Sequence, residues 1–267
     1  MLSFTGNITD VIKERHSVRT YKALSLTPEL VDQIKQSFLD VTTPFSPKPR
    51  FKLIETVDFK NQSVKLGTYG IIKNSQYFVG VACEKSEFDL VSIGYAMEQL
   101  ILYWTSLGLG TCWIGGTFNR TNFVKLMQVS DKEIFPAISP IGYEADKKRL
   151  IDSLISRHSH QRYEFSNIFF NQDFNHPLLE SEAGEYLEIL DNVRRAPSAL
   201  NKQPWRIVKQ GDVFHFYIDQ DSQMKYLDIG IALCHFHLSI LEKGLEGSFK
   251  VDNPKLETNY HYIISWV

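Results

Sequence analysis

The chain has 267 residues, 43% of them hydrophobic, 13% aromatic and 22% charged, with a formal net charge of −2. A chain of this size can bury a good core, and its near-balanced charge excludes a partner recognised by bulk electrostatics, so neither nucleic acid nor an anionic membrane surface is expected. Cys83, Cys112 and Cys234 are far apart with no Cys-x-x-Cys spacing, which excludes a disulfide framework and a zinc knuckle and fits a reducing compartment.

The N-terminus mixes acids and bases early and carries no apolar signal core. The longest apolar stretch, 96–109, is interrupted by Glu98 and Gln99 and is too short to span a bilayer, so a cytoplasmic globular protein without a membrane partner is expected. Helix and strand signals alternate irregularly, with helices expected to outnumber strands. Thr27 as N-cap and Pro28 at the first helical position open a helix whose Leu30, Val31, Ile34 and Phe38 share one face. After the prolines Pro44, Pro47 and Pro49, a strand is predicted at 50–55, another at 77–83, and a long helix at 90–107 stopped by Gly108 and Gly110. A strand is predicted at 136–143, a polar basic bridge at 146–162, an amphipathic helix carrying Tyr186, Leu187, Leu190 and Val193, and a strand at 205–208.

The second part repeats features of the first. At an ungapped offset of 136, Ile93, Gly94, Ala96, Leu102, Gly108 and Leu109 match Ile229, Gly230, Ala232, Leu238, Gly244 and Leu245, and Trp113 falls on Phe249. The paired glycines and the shared order of elements predict an internal duplication, with halves at 1–160 and 161–267.

Two segments carry candidate chemistry. In Arg15-His16-Ser17-Val18-Arg19-Thr20-Tyr21, two guanidiniums and a hydroxyl within five residues suit a phosphate and its attached sugar. Taken alone, the segment also reads as a solvated basic turn. In Ala196-Pro197-Ser198-Ala199-Leu200-Asn201-Lys202-Gln203-Pro204-Trp205, small and amide side chains on a proline-held loop can offer donors and acceptors to a planar heterocycle, or simply connect helix to strand.

Together the two segments closely resemble the signatures of the FMN-dependent nitroreductase family. Gly108-Leu109-Gly110-Thr111-Cys112-Trp113-Ile114-Gly115-Gly116, following the long helix, is similar to that family's flavin-contact loop, and Arg162 looks like its C-terminal phosphate-contacting arginine. The resemblance implies an α+β nitroreductase-like fold. One departure stands out. Where the family places its second segment, this chain has Pro44-Phe45-Ser46-Pro47-Lys48-Pro49-Arg50, and the matching segment comes about 150 residues later. The counterpart of 15–19 in the second half, 171–175, holds no base. Each half has kept what the other has lost, which resembles a single-chain subgroup that mimics the family homodimer.

The resemblance then implies that Arg15, Ser17 and Arg162 hold the phosphate and ribityl chain of FMN. It places Arg19 by the flavin N1 and C2 carbonyl, and Pro197, Ser198, Asn201 and Gln203 on the same FMN from the second half. Trp113, Ile114, Gly115 and Gly116 line the ring, His16 gives at most a backbone-level contact, and Gly70 is a further flavin contact. No protein acid, base or nucleophile is required, because the flavin carries the chemistry and Arg19 tunes it. The implied activity is reduction of a nitroaromatic, quinone or similar small-molecule acceptor by NADH or NADPH. The alternatives are a specialised flavin reaction, such as reductive dehalogenation or flavin fragmentation, and a flavin-binding or sensing protein with little turnover. A monomer can suffice, with dimerisation optional.

Other signals carry less. Gly108-x-Gly110 follows a helix and lacks the third glycine of a dinucleotide turn. His235 and His237 are two apart on a helix and make a poor metal pair, one expected buried and the other solvated. Cys112 has no paired base in the sequence around it, and Lys147-Lys148-Arg149 reads as a solvated linker run.

Overall fold

The computed structural model of the chain describes residues 2–56, 67–147 and 161–267. Most of the predicted bridge at 146–162, with Lys148 and Arg149, lies outside the described residues. The elements are α1 (Ile8–Glu14), α2 (Pro28–Asp40), β1 (Arg50–Glu55), β2 (Tyr77–Glu84), α3 (Asp89–Ser106), β3 (Gly110–Thr111), α4 (Arg120–Met127) and β4 (Glu133–Gly142). They continue with β5 (Phe169–Asn171), α5 (Leu187–Arg194), β6 (Trp205–Gln210), β7 (Val213–Ile218), α6 (Gln223–Glu242), β8 (Phe249–Lys250) and β9 (His261–Trp266). Among the described residues there are nine strands, six α-helices and four single-turn 3-10 helices. β7, β8 and β9 were not anticipated because they are short or fully covered, and buried strands lose the alternation that marks a half-exposed one.

Local chemistry sets the boundaries. Thr27 Oγ1 accepts the Leu30 N–H at 3.3 Å and Pro28 occupies the first turn of α2, as the cap pattern predicts. Asn7 Oδ1 caps α1 through the Asp10 N–H at 2.8 Å. Gly211, at φ +62°, sits in the tight turn between Gln210 and Val213 that joins β6 to β7.

The first sheet runs β1-β2-β4-β3 with all pairs antiparallel. The second runs β5-β6-β7-β9-β8, where only the β5–β6 pair is parallel. Without β5, the two sheets share one strand order. Between them α3 packs on α6, the most extensive contact between any two elements. Both helices are buried on nearly every face, as expected for central helices. Their crossing depends on two glycines. A Cβ on Gly94 would lie 2.1 Å from the Leu227 carbonyl oxygen, and one on Gly230 would lie 2.3 Å from that of Val91. The two helices also end alike. Gly108 (φ +75°) and Gly244 (φ +69°) take left-handed conformations, and Leu109 N–H and Leu245 N–H return to Trp104 O and Ile240 O at 3.0 and 3.2 Å.

The core is shared across the molecule. Its largest cluster joins Ile8, Val11 and Ile12 of α1 and Val91, Tyr95 and Leu102 of α3 with the apolar faces of α5, α6 and the second sheet. A second cluster holds α2 and the other side of α3 through Ile34, Met97, Leu100 and Trp104.

Candidate active site

The segment after α1 leaves the helix extended and lies beside β3. Val18 N–H donates to Thr111 O at 2.8 Å, Lys73 N–H to Arg19 O at 2.9 Å, and the buried Tyr21 hydroxyl to Val18 O at 2.8 Å. This fixes one edge of a cleft of about 1030 Å³. Arg15, His16, Ser17 and Arg19 line that edge, and Trp113, Ile114 and Gly115 come from the loop after β3. Pro197, Ser198 and Asn201 contribute from the loop before β6, Arg162 and Arg195 close one end, and Met224, Leu227, Asp228 and Ile231 of α6 form the remaining wall. The cleft therefore gathers segments that lie more than two hundred residues apart.

Three of the expected site residues lie elsewhere. Gly70, at φ +80°, turns the chain just before the cavity-lining Ile71, and Gly116 is exposed between two lining neighbours. Gln203 is 2% exposed and faces a separate small cavity, where its Oε1 accepts the Tyr163 N–H at 3.0 Å and its Nε2 donates to Gln161 O at 3.3 Å and Asn201 O at 3.2 Å. It holds the backbone beside Arg162. Asn201 lines the cleft, but its side chain also serves Arg162: Oδ1 accepts from the guanidinium at 3.0 Å, and Nδ2 donates to Gln161 O at 2.8 Å. Ser198 Oγ accepts the Gln203 N–H at 2.8 Å and can still donate its own proton. Leu200, Asn201 and Gln203 all take positive φ, at 53°, 56° and 46°, a strained loop of the kind that concentrates at ligand sites.

The electrostatics at one end favour an anion. Arg162 is pushed down to about 10 by burial first, and then by the positive charges of Arg15, Arg195 and Arg194. Burial alone would raise Asp191, yet Arg194 and Arg195 hold it below its usual range, at 2.6 and 2.9 Å. Arg15 has a side chain 8% exposed, and its Nε has no hydrogen-bond partner among the described residues. An unsatisfied buried guanidinium donor next to further guanidiniums is a built anion site. His16 bridges instead to Glu144 Oε2 and Glu14 O, both at 2.9 Å.

Motif reading alone did not reveal three groups. Arg195 ends α5. Asp228 is 3% exposed, accepts the Ala199 N–H at 3.0 and 3.2 Å, and is raised to about 7 by burial. Glu98 is fully buried in α3 and accepts the Trp113 indole N–H at 2.7 Å. Glu98 had one visible signal, a carboxylate inside the longest apolar stretch. The two histidines need correction. His235 is fully buried, but His237 is not solvated: it meets the Tyr95 hydroxyl at 2.6 Å and packs on Phe249 and Trp266. Cys83, Cys112 and Cys234 are buried and unbridged, no group of three metal-ligating side chains occurs among the described residues, and no described helix is long and apolar enough to cross a membrane.

Comparison with known proteins finds relatives of this chain. The family described as "Putative TM nitroreductase" matches residues 7–240. A protein of Methanothermobacter thermautotrophicus described as "Putative NADH dehydrogenase/NAD(P)H nitroreductase" is 23% identical over 150 residues, 52% of this chain and 78% of its own. A solved structure described as a putative nitroreductase from Thermotoga maritima superposes with a TM-score of 0.65 at 22% identity, covering 99% of this chain and 94% of that one. A nitroreductase family protein from Clostridium difficile is 18% identical and covers 61% of this chain and 96% of its own, at a TM-score of 0.47. The long match of residues 7–240 places this chain in the TM nitroreductase family of oxidoreductases.

Proposed function

We propose that the cleft binds FMN and that the protein uses NADH or NADPH to reduce a nitroaromatic, quinone or similar small acceptor. The observation that carries this reading is the orphaned Arg15 Nε beside the guanidiniums of Arg162 and Arg195, at the end of a cleft lined by the flavin-like motifs and by α6. The donor set fits a phosphate dianion: several fixed guanidiniums, each able to give charge-assisted bonds worth roughly 1.5–3 kcal/mol. FMN, when bound, supplies the two-electron chemistry. Arg15, Ser17 and Arg162 hold its phosphate end, while Asn201 and Gln203 act one step back by orienting Arg162 and its backbone. Trp113, Ile114 and Gly115 supply an apolar wall for the ring and exclude water from it. Arg19 provides a fixed cation for the ring edge where negative charge builds on reduction.

The reading extends to the whole chain. Residues 1–160 and 161–267 are two diverged copies of one α+β unit, supported by the shared strand order, by the matched ends of α3 and α6, and by the reciprocal contacts of Gly94 with Leu227 and Gly230 with Val91. Gly230 lies 136 residues after Gly94 and Val91 lies 136 residues before Leu227, so the same offset turns each contact into the other. The turn at 171–175 carries Asp173, which accepts from Asn175 and His176, where the first copy carries arginines. One FMN site therefore survives per chain.

An absorbance spectrum tests the cofactor. Purified protein, alone or after addition of FMN, is expected to show flavin bands that bleach with dithionite or NADPH. A protein that leaves micromolar FMN fluorescence unquenched is not a flavoprotein of this kind.

A further inference from the structure

Glu98 lies outside every motif, yet it touches three functional parts of the molecule. Its Oε1 is 3.0 Å from His235 Nε2 of α6 and 3.9 Å from Arg15 Nε, and its Oε2 accepts the Trp113 indole N–H at 2.7 Å. One fully buried carboxylate thus joins a guanidinium and an indole that line the cleft to a histidine on the facing helix.

The protons around His235 can be counted. Its Nδ1 is 2.9 Å from the backbone carbonyl oxygen of Asn192, which can only accept, so Nδ1 carries a hydrogen. On the other side of the ring, Nε2 faces the Glu98 oxygen. A bare imine nitrogen and a carboxylate are both acceptors, so this contact needs a second proton. Whichever atom holds it, His235 and Glu98 together are net neutral. Glu98 is therefore not the counter-ion of Arg15. The cluster of Arg15, Glu98 and His235 keeps one net positive charge, and Arg15 Nε stands beyond hydrogen-bond range of the carboxylate. Beside the pair, burial, and then Glu98 itself, push the Cys234 thiol up, and Asn192 Nδ2 donates to Thr9 Oγ1 and Ser239 Oγ at 2.8 and 3.0 Å.

We infer that Glu98 and His235 form a shared-proton pair that positions Arg15 and Trp113 while leaving the Arg15 charge uncancelled for an anionic phosphate in the cleft. This rests on the reading that the phosphate of FMN lies at Arg15. Glu98 and His235 are positioning residues; Arg15 and Trp113 make the contact.

The test compares the affinities of FMN and riboflavin by fluorescence quenching, because riboflavin has the ring and ribityl chain without the phosphate. In His235→Gln the amide can donate to Glu98 but brings no charge, so the carboxylate becomes the counter-ion of Arg15, and the preference for FMN over riboflavin is expected to fall by about tenfold. Adding Glu98→Gln removes the anion and should return the preference to within about threefold of wild type. Glu98→Gln alone exchanges a neutral pair for a neutral pair and should likewise stay within about threefold. If Glu98 were a plain counter-ion, that single variant would instead raise the preference by about tenfold, which overturns the proposal whether or not His235→Gln folds. Equal weakening of both flavins in His235→Gln, or an unchanged preference, also overturns it. Wild-type protein with no preference for FMN over riboflavin removes the phosphate reading itself, and the proposal with it.

Discussion

Asp228 presents both carboxylate oxygens to the Ala199 N–H inside the cleft, and burial raises it to about 7 against an ordinary value of 3.8, while the Ala199 N–H and Lys225 pull the other way. A carboxyl raised on folding contributes stability that is fully present below its unfolded pKa, and this is lost as pH climbs through the folded value. The wild-type protein therefore gives up stability between about pH 4 and pH 7 on this group's account. Asp228→Asn keeps an oxygen for the Ala199 N–H and abolishes the titration. Its unfolding free energy from urea titration should match wild type near pH 4 and exceed it by pH 8, by ~4 kcal/mol. A constant difference across that range would mean that Asp228 stays ionised in the fold. The loop it supports has three non-glycine residues at positive φ in the span 200–203, so the Ala199 contact is one of the bonds that offset that strain.

Helices α3 and α6 cross where two glycines let the backbones touch, and substitution there has no room. A methyl on Gly94 meets Leu227 O at 2.1 Å and one on Gly230 meets Val91 O at 2.3 Å; both contacts are with backbone, which cannot swing aside as a side chain can. Gly94→Ala and Gly230→Ala are each expected to cost roughly 2–3 kcal/mol of stability, measured by denaturant unfolding, despite alanine's better helix propensity. Once one methyl has pushed the helices apart, the second finds part of the space already made, so the double variant should cost less than the sum of the singles. Full additivity, or a single variant within about 0.5 kcal/mol of wild type, would refute the close crossing as a constraint. This level also shows what the sequence disclosed. The cap of α2, the extents of β1, β2 and α3, and the arginine motif were legible because each is written in consecutive residues. Glu98 and His235 face each other across α3 and α6, Arg195 and Asp228 reach the cleft from two helices, and the roles of Asn201 and Gln203 depend on where Arg162 folds back. Such relations are tertiary. Periodicity assigns the residues to a helix face without naming their partner.

At the scale of the molecule, one chain supplies every wall of the cleft, from residues 12–20 to residues 224–231. Arg15 and Arg19 come from the segment after α1, Arg162 and Arg195 from before and after α5, and the strained loop and the α6 wall follow them in the chain. The core is joined in the same way, with α1 packed against α3, α5 and α6. A half expressed alone would expose the α3–α6 contact and split the arginine cluster, so neither should bind FMN. On the proposed reading the arginines of the phosphate end all come from one chain. Light scattering over a dilution series is therefore expected to find FMN retained by a species near the chain mass of 30.8 kDa, at one flavin per chain. An ordinary homodimer with its site across subunits would give the same stoichiometry, so the ratio alone does not discriminate. The dilution does: flavin that dissociates in step with loss of a dimer, leaving flavin-free monomers, would mean that the cleft described here is incomplete without a partner. Retention with unchanged affinity across the transition would place the whole site within one polypeptide, where the packing of α1 against α3, α5 and α6 already joins its two sides.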